Sequence, residues 1–518
     1  MNPIQIDGEN LAIEDVARVA FDGALVEIAV SAHERMKASR AVVESAVQTG
    51  IKVYGVNTGF GKMASVQISR DQITQLQLNL VRSHASGVGT PLSEQETRAM
   101  LLLRANALAK GFSGIRPVVV ETLCAMLAHG VHPVIPSQGS VGASGDLAPL
   151  AHLAQVVVGE GEAIFRGKKL AGAEAMKQAG IAPVRLEAKE GLALLNGTQA
   201  MLALLSLGLR EAELLMDTAD VACALSLDAL RGSPAAYDAR IAAVRPHAGH
   251  EITARNLERL NRGSAIRESH RSPEKDPRVQ DAYSLRCAPQ VHGAVRDALA
   301  QVRATLTIEL NSATDNPLVF AATGAAGASG VPSGGGGEVI SGGNFHGQPL
   351  AMAADQLAVA LATLSGISER RVEQMTNPLT SGLPAFLVRE AGLNSGFMMV
   401  QIAAAALASE MKVLAAPHSV DSIPTSANQE DYVSMGMGGA RRIAPMLANL
   451  RNLLAMELLC ACQGLDFLVP LRTGSEAQKA YDLVRGVSAR LDADRSLTKD
   501  IDAVAGLVSN GSFSQLVR

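Results

Sequence analysis

The sequence predicts a mainly α protein, with an elongated helical bundle and a smaller N-terminal region that carries the candidate site. Leu350, Ala354, Leu357, Leu361 and Leu364 recur every three or four residues, which is the spacing of one face of a helix. Apolar residues make up 47% of the 518 residues, whereas aromatic residues make up 3% and tryptophan is absent. No useful alternation of strand and helix patterns appears, which argues against doubly wound folds and barrels.

Apolar spacing and glycine positions predict most of the other elements in chain order. Residues 13 to 48 are typical of a helical N-terminal region, and residues 159 to 187 of a small hairpin or a peripheral excursion. Two helices are predicted within residues 96 to 130, broken by Gly111-Phe112-Ser113-Gly114. Further helices are predicted over residues 147–158, 189–231, 294–310, 397–415 and 440–463, and within 475–518.

We expect two regions, with a boundary between residues 195 and 196. Residues 1–195 carry the candidate site, and residues 196–518 form the long-helix bundle and the oligomerisation region. Residues 263 to 282 are polar and predict a solvated loop or a lid. Residues 321 to 337 are rich in Gly, Ala and Ser and predict a flexible surface insertion without a core, so we expect that a deletion within it leaves activity largely intact.

Composition limits the classes of partner. The formal net charge of −4 gives no reason to expect a nucleic acid or a membrane as partner. The five cysteines form no CxxC pair, so buried thiols in a reducing compartment are the simplest interpretation. The N-terminus shows no signal-peptide pattern, and no apolar run of transmembrane length lacks a charge or an amide. These features predict a soluble cytoplasmic protein.

The most distinctive stretch of the chain runs from Gly139 to Leu150. Gly145 has no Cβ, so its backbone nitrogen can approach the Ala143 carbonyl carbon unusually closely. Attack of this nitrogen on that carbon would close a five-membered ring, and loss of two waters, one of them from the Ser144 hydroxyl, would leave an electrophilic methylidene group. Taken alone, Ala-Ser-Gly is more often a tight turn capped by serine. The chain has no HExxH or CxxC spacing for a metal and no G-x-S-x-G motif around Ser144.

Residues 143 to 150 (ASGDLAPL) resemble, over eight consecutive positions, the signature of the aromatic amino acid ammonia-lyases and aminomutases. Residues 54–61, 311–317 and 341–347 resemble further segments of that family. In the family the Ala-Ser-Gly triad cyclises autocatalytically to 4-methylideneimidazol-5-one (MIO). The resemblance therefore implies the mainly α, aspartase-like fold, a homotetramer with active sites composed from several subunits, and an MIO group made from Ala143, Ser144 and Gly145, with no metal and no external cofactor.

The resemblance also implies a role for each site residue. Tyr54 and Tyr283 are the candidate acid/base groups, and which of them takes the β-proton stays open. Asn196 would donate to the ring oxygen, where negative charge develops. The remaining roles are assistance to the dehydration by Asp146, packing against the ring by Phe345, binding of the substrate carboxylate by Arg286 and Asn316, and completion of the hydrogen-bond network by Gln280.

Two residues bear on the substrate. The Ser83-His84 pair resembles the histidine-specific branch of the family, and His84 and Glu430 can hydrogen-bond an imidazole or an ammonium group. A buried, unpaired Glu430 would disfavour phenylalanine. We therefore expect elimination of ammonia from L-histidine to give trans-urocanate, the first step of histidine degradation.

Three other functions stay open at this stage. A 2,3-aminomutase, or a lyase for another aromatic amino acid, would share the ring, whereas a non-enzymatic helical scaffold would need neither the triad nor the tyrosine pair. The chain also departs from the family pattern at His292, Ala288 and Tyr432.

Overall fold

The structure is a computed structural model that describes residues 2–59, 65–272, 274–276, 278–321, 331–332 and 337–518. Most of the predicted insertion at 321–337 and the end of the 54–61 segment lie outside these residues. Within them the chain is mainly helical, which confirms the predicted fold class. The helices are α1 Ile13–Asp22, α2 Val30–Thr49, α3 Ile73–His84, α4 Glu94–Ala109, α5 Pro117–His129, α6 Leu147–Val157, α7 Gly172–Gln178, α8 Glu190–Leu195, α9 Gln199–Ala229, α10 Ala239–Ala243, α11 Ala248–Asn261, α12 Ala265–Ser269, α13 Tyr283–Arg286, α14 Ala288–Leu310, α15 Gln348–Thr376, α16 Pro378–Ser381, α17 Met398–Leu414, α18 Gly436–Arg441, α19 Ile443–Asp466, α20 Ser475–Val487 and α21 Thr498–Ser509.

Short strands form four small sheets in the described ranges. The strands are β1 Ile4–Ile6, β2 Val26–Ile28, β3 Val88–Pro91, β4 Val131–Pro133, β5 Pro136–Gln138, β6 Glu162–Phe165, β7 Lys168–Ala171, β8 Leu318–Ala321, β9 Val331–Pro332 and β10 Gly337–Ile340. β1 pairs with β2 in parallel, with Ile4 opposite Val26. The antiparallel sheets have the strand orders β3-β5, β4-β6-β7 and β8-β10-β9.

The chain divides into two compact units, each built from three segments. Unit 1 comprises Met1–Leu207, Arg303–Asp355 and Pro417–Arg441, and unit 2 comprises Gly208–Val302, Gln356–Ala416 and Arg442–Arg518. The sequence predicts a single boundary at residue 195 instead, and that division stays a prediction. A pattern of local spacing cannot show which distant segments return to the same unit, because that depends on long-range packing.

Each unit has its own helical packing. In unit 1, α3, α6 and α8 pack against one another, and α1 and α5 pack on α4. In unit 2, α19 packs on α17, α20 and α21, and α11 packs on α20. The buried residues of α19 include leucines, alanines and two cysteines, as the aromatic-poor composition predicts.

The helical prediction for residues 13 to 48 is wrong in its middle. α1 ends at Gly23, which has a φ of 67°, a conformation that favours glycine. Val26 and Ile28 then alternate with Glu27, which is strand spacing rather than helical spacing, and this segment forms β2. The predicted hairpin within 159–187 is present as β6 and β7.

The long helix predicted from residue 189 is interrupted before it reaches full length. α8 ends at Leu195, the next residue Asn196 is extended at φ −90° and ψ 100°, and α9 begins at Gln199. A Cβ on Gly197 would lie 2.3 Å from Nη1 of Arg104 and 2.7 Å from the Thr314 carbonyl oxygen, so only glycine fits at this break.

Two helical stretches in the described part of the chain pass a length and composition test for a membrane span, Gln348–Thr376 and Gly436–Asp466. Their most apolar windows are 56% and 67% buried inside the protein. Core helices of soluble proteins pass the same test, so these stretches are weak evidence for a span.

Candidate active site

A cavity of about 820 Å³ opens in unit 1, and Ala143 and Ser144 form part of its wall. Residues from α3, from the loop before α6, from α8 and from the 426–432 segment surround it. The lining residues are Tyr54, Leu76, Asn79, Leu80, Ser83, His84, Ala143, Ser144, Leu147, Leu192, Asn196, Asn316, Ser341, Gly342, Phe345, His346, Ser426, Gln429, Glu430, Asp431 and Tyr432.

The backbone of Gly145 packs directly against the break between α8 and α9. Gly145 has a φ of 71° and forms a parallel bridge with Gly197. A Cβ on Gly145 would lie 2.1 Å from the Gly197 carbonyl oxygen. That same oxygen accepts a hydrogen bond from the Asp146 amide at 2.6 Å. The turn that holds Ser144 is therefore built for glycine at position 145.

Ser144 makes two contacts that connect it to predicted site residues. Its hydroxyl donates to Oε1 of Glu430 at 2.9 Å, and its carbonyl oxygen accepts from Nδ2 of Asn196 at 3.3 Å. Oδ1 of Asn196 is buried and has no hydrogen-bond partner among the described residues. Asn196 thus presents its donor to the Ser144 carbonyl.

Asp146 lies fully buried behind the triad. Its carboxylate accepts hydrogen bonds from the Ser140 hydroxyl and from the Met201 amide, both at 2.9 Å. Burial raises the pKa of Asp146 to about 6, because these hydrogen bonds offset the loss of hydration only in part. A carboxyl with a pKa near 6 can both give and accept a proton near neutral pH.

His84 and Glu430 face the cavity from separate segments. Nδ1 of His84 lies 2.9 Å from the Leu80 carbonyl oxygen, so this nitrogen carries the proton and Nε2 is the acceptor. Burial lowers the pKa of His84, with the Leu80 carbonyl and the Glu430 carboxylate acting in the opposite direction. Thr425 donates to Oε2 of Glu430 at 2.5 Å, which fixes the orientation of the carboxylate.

Tyr54, Phe345 and Asn316 also line the cavity. Oδ1 of Asn316 accepts from the Gly342 amide at 2.7 Å and from the Ser341 hydroxyl at 3.3 Å. The amide group of this asparagine is therefore held by its neighbours in the 341–345 segment.

Five predicted site residues are not among the residues that line this cavity, and two of them, Gly145 and Asp146, follow directly after the lining residue Ser144 in the chain. Gln280, Tyr283 and Arg286 belong to unit 2. Tyr283 is 69% exposed, and the Arg286 guanidinium carbon lies 4.7 Å from the centre of its ring. Nε of Arg286 is buried without a hydrogen-bond partner in the described part of the chain.

The sequence interpretation missed several residues of the cavity wall. Leu76, Asn79 and Leu80 follow one another at helical spacing on α3, the helix that ends at His84. That periodicity could have predicted them once His84 was placed. His346 was also missed, and it lies against Tyr432, with ring centres 6.3 Å apart and Nε2 3.2 Å from the Tyr432 carbonyl oxygen.

The chain matches a known protein family over most of its length. The family model described as aromatic amino acid lyase matches residues 11–486. The chain therefore belongs to the aromatic amino acid lyase family, and it is a lyase.

Particular relatives resemble the chain over its whole length. It is 53% identical, over 520 residues and 100% of both chains, to the histidine ammonia-lyase of Koribacter versatilis (strain Ellin345). The crystal structure of histidine ammonia-lyase from Trypanosoma cruzi superposes with a TM-score of 0.90 at 43% identity, covering 100% of this chain and 95% of that one. The tyrosine aminomutase of Streptomyces globisporus superposes with a TM-score of 0.93 at 39% identity, covering 100% and 98%.

Proposed function

We propose that this chain eliminates ammonia from L-histidine to give trans-urocanate, the first step of histidine degradation. The observation that carries the proposal is the position of His84 and Glu430 beside Ser144 in one cavity. Both side chains can hydrogen-bond an imidazole, and the Glu430 carboxylate contacts Ser144, in the segment from which the electrophile would form. The full-length similarity to histidine ammonia-lyases supports the same substrate.

Ala143, Ser144 and Gly145 fit the MIO group that the family implies. The oxygen retained by the ring would be the Ser144 carbonyl oxygen, to which Asn196 already donates at 3.3 Å. Gly145 meets the requirement for close backbone approach, because Gly197 leaves no space for a Cβ. The methylidene carbon supplies the electrophile that makes the substrate amine a better leaving group. Asn196 would then stabilise the negative charge that develops on the ring oxygen.

Loss of the Ser144 hydroxyl would also prepare Glu430 for substrate. Oε1 of Glu430 accepts its hydrogen bond from that hydroxyl, while Oε2 is held by Thr425. Once the hydroxyl leaves as water, Oε1 loses its donor and an anion faces the cavity. An imidazole N–H or an ammonium group would satisfy this oxygen, whereas a phenyl ring could not.

His84 offers the complementary half of the interaction. With Nδ1 committed to the Leu80 carbonyl, a neutral His84 presents Nε2 as an acceptor for a substrate N–H. Tyr54 in the cavity and Tyr283 are the proposed acid/base groups for the β-proton, and Arg286 and Gln280 are proposed to bind substrate with Asn316.

We further propose a cytoplasmic homotetramer whose active sites combine residues of different subunits. Tyr283 and Arg286 would enter the site from another subunit. Exposed apolar side chains on α15 and α17 are suited to subunit contacts, and they include Met352, Val359, Met399, Ile402 and Val413.

The substrate assignment is tested by kcat/KM for L-histidine, L-phenylalanine and L-tyrosine on the wild type, Glu430→Gln and His84→Phe. Glu430→Gln keeps the shape and removes the charge, so L-histidine turnover should fall roughly 10- to 150-fold, the equivalent of about 1.5–3 kcal/mol. His84→Phe should weaken histidine use. Asp421→Asn, an exposed charge removal on the same segment, should leave it unchanged. A wild type that prefers phenylalanine, or two fully active variants, would contradict the assignment.

The electrophile is tested by intact mass and peptide mapping. We expect the mature chain to be lighter than its translated sequence by two waters, both lost within residues 143–145. Ser144→Ala should fold, retain the hydroxyl-independent contacts and lose most activity. An unmodified and fully active protein would overturn the mechanism.

The composite site is tested by co-expressing Ser144→Ala with Tyr283→Phe. If one site takes Ser144 and Tyr283 from different subunits, mixed oligomers contain some sites in which both residues are wild type, and activity returns. Activity that stays at the level of the separate variants would show that both residues act from the same chain.

Product analysis distinguishes the lyase from a 2,3-aminomutase. The structural similarity to a tyrosine aminomutase makes this second function the alternative to test. Free urocanate and ammonia support the proposal, whereas a β-amino acid product would replace it.

A further inference from the structure

The short helix α13 is held from inside the protein through its own backbone. Ser284 and Leu285 are 8% and 1% exposed, whereas the preceding Tyr283 is 69% exposed. Residue 289 is a proline and has no N–H to bond the Leu285 carbonyl. The Tyr237 hydroxyl donates to that carbonyl instead, at 3.0 Å. The next anchor is Arg371, whose Nη1 donates to the Ser284 carbonyl at 3.3 Å.

Arg371 is itself held in one orientation. Its Nε and Nη2 donate to the two carboxylate oxygens of Glu457 at 2.5 and 3.0 Å, and neither side chain is exposed. The hydroxyls of Ser226 and Ser368 donate to the same carboxylate at 2.9 and 2.5 Å. Such a two-pronged ion pair fixes the plane of the guanidinium and therefore the direction of Nη1.

His292 connects this ion pair to a second one. Its Nδ1 lies 2.8 Å from Oδ1 of Asp220, and its Nε2 lies 3.3 Å from Nη1 of Arg371. A carboxylate only accepts and a guanidinium only donates, so His292 must carry its proton on Nδ1 and accept at Nε2. Burial lowers the pKa of His292, although the hydrogen bond to Asp220 raises it, which agrees with a neutral ring.

Asp220 is balanced by Arg296, whose Nη2 donates to it at 2.6 Å. Burial alone would raise the pKa of Asp220, but Arg296 and His292 outweigh it and hold the pKa below its ordinary value. Burial would likewise lower the pKa of Arg371, and the Glu457 carboxylate reverses the direction. All of these groups belong to unit 2. Their hydrogen bonds agree with charged arginines and carboxylates and with a neutral His292.

We propose that Arg371, His292 and Tyr237 are positioning residues, which hold the Ser284 and Leu285 carbonyls so that the side chains of Tyr283 and Arg286 are presented together. The proposal rests on the proposed function, in which Tyr283 and Arg286 act on the substrate. Stability alone does not account for the network, because apolar side chains of similar volume often replace a buried ion pair at no cost. A fixed guanidinium gives what apolar packing cannot, a directed donor for one carbonyl.

The sharpest test compares two variants that each remove one phenolic hydroxyl from unit 2. Tyr237→Phe removes the donor to the Leu285 carbonyl. Tyr481→Phe removes the donor to Oδ1 of Asp466 at 2.5 Å, a contact that does not involve α13. We expect kcat for L-histidine to fall about 10-fold or more in Tyr237→Phe, with KM changed much less, because small displacements of reacting groups are costly. Tyr481→Phe should keep the wild-type kcat.

Hydrogen–deuterium exchange gives a readout that does not depend on activity. The amides of Arg286 and Cys287 donate to the Ala282 and Tyr283 carbonyls, so a loosened α13 should exchange them faster. We expect faster exchange in the 282–287 peptide for Tyr237→Phe and His292→Leu, and wild-type exchange for Tyr481→Phe. His292→Gln keeps one donor and one acceptor and should recover part of the activity that His292→Leu loses.

Measuring Tyr283→Phe in parallel distinguishes a failure of the positioning role from a failure of the proposed function. If Tyr283→Phe is inactive while Tyr237→Phe keeps full kcat and wild-type exchange, the positioning role is wrong and the proposed function stands. If Tyr283→Phe is fully active, the proposed function is wrong about this residue, and exchange in the 282–287 peptide alone decides the positioning role. Loss of activity in Tyr481→Phe equal to that in Tyr237→Phe would overturn the positioning role as well.

Discussion

Two clusters of buried charge, one in each unit, differ in how their charges are compensated. In unit 2, Arg371 pairs with Glu457, and Arg296 pairs with Asp217 and Asp220. In unit 1, Lys189 lies 2.7 Å from Asp315, and the same carboxylate is the one that favours the charge on Arg104. Two buried cations of unit 1 thus share one anion.

The difference appears in the pKa values. Burial lowers the pKa of Arg104 to about 10, and Asp315 offsets this only in part. Burial also lowers the pKa of Lys189, with Arg104 adding to the effect and Asp315 opposing it. In contrast, the pKa of Arg371 in unit 2 is raised by Glu457 despite complete burial.

Arg104 and Asp315 of unit 1 lie next to chain segments that line the cavity. Arg104 donates to the Ala193 carbonyl, three residues before Asn196, and Asp315 precedes Asn316. Titratable groups with shifted pKa values cluster at functional sites, because an electrostatic field there can assist function even where it lowers stability. The Arg104 guanidinium, whose Nη1 would lie 2.3 Å from a Cβ on Gly197, would favour negative charge on the Ser144 carbonyl oxygen, as the proposed reaction requires. In unit 2 the Arg371 guanidinium instead holds a backbone turn, by its hydrogen bond to the Ser284 carbonyl.

The largest effect is expected from removing one charge of the buried Arg371–Glu457 ion pair in unit 2. Glu457→Gln leaves Arg371 buried without its carboxylate, so the free energy of unfolding should fall by about 3–5 kcal/mol. Glu211→Gln breaks a more exposed pair of the same kind, in which Arg451 lies 2.7 Å away, and should cost less than about 1 kcal/mol. Urea unfolding followed by circular dichroism measures both. Equal losses in the two variants would show that burial does not determine how much an ion pair contributes to the free energy of unfolding.

A pH-dependent loss of stability is expected from the buried Asp146 carboxyl in unit 1. Asp146 has an ordinary pKa of 3.8 when unfolded and about 6 when folded, so the folded state keeps its proton longer. As the pH rises from about 4 to about 6, the unfolded state releases this proton first and stability falls, by about 3 kcal/mol in total. Above about pH 6 both states are ionised and the loss is complete.

Asp146→Asn should remove this component of the pH dependence. The free energy of unfolding, measured from pH 4 to pH 7 in both proteins, gives the component as the difference between the two curves. Asp228→Asn is the counterpart in unit 2, because burial raises the pKa of Asp228 to about 6 as well, against hydrogen bonds from Thr473 and Ser264. Parallel curves for wild type and Asp146→Asn would contradict the raised pKa.

Local spacing in the sequence was enough to predict most of the long helices but not their grouping. The period of the Leu350–Leu364 stretch is a property of one helix, and α15 is present over these residues. The alternation Val26-Glu27-Ile28 is also local and was misread, because the flanking helices extended the helical pattern over it. Which segments meet is decided by packing between residues far apart in the chain.

The same limit applies to the site. Ser144 and Glu430 are 286 positions apart, and only the resemblance to a known family brought them together before the structure did. The charged network of unit 2 had a weak signal of its own. Glu457 stands alone in the apolar run from Leu453 to Cys462, and an isolated charge in a buried helix requires a partner. Nothing in the sequence identified that partner as Arg371, because it lies on another helix.

The smallest effect is expected where a negative charge is added beside Arg104, one of the two buried cations of unit 1 that share Asp315. Gln199 is buried, with Oε1 accepting from Arg104 at 2.7 Å and Nε2 donating to the Thr314 hydroxyl at 2.7 Å. In Gln199→Glu the new carboxylate faces a cation that lacks a full partner, and the Thr314 hydroxyl can turn and donate to it. We expect a change in the free energy of unfolding of less than about 1 kcal/mol.

Gln463→Glu is the matched substitution in unit 2, and its surroundings cannot adapt. Nε2 of Gln463 donates to the Leu387 and Leu491 carbonyls at 3.0 and 2.8 Å, and a carbonyl oxygen cannot become a donor. The carboxylate would face two acceptors, with Arg485 no closer than 3.5 Å to the Oε1 position, so the loss should exceed about 3 kcal/mol. Urea unfolding of the two variants measures the contrast. If Gln199→Glu cost as much as Gln463→Glu, the cations of unit 1 would already be fully compensated, and the difference between the units would lie in hydrogen-bond geometry rather than in charge.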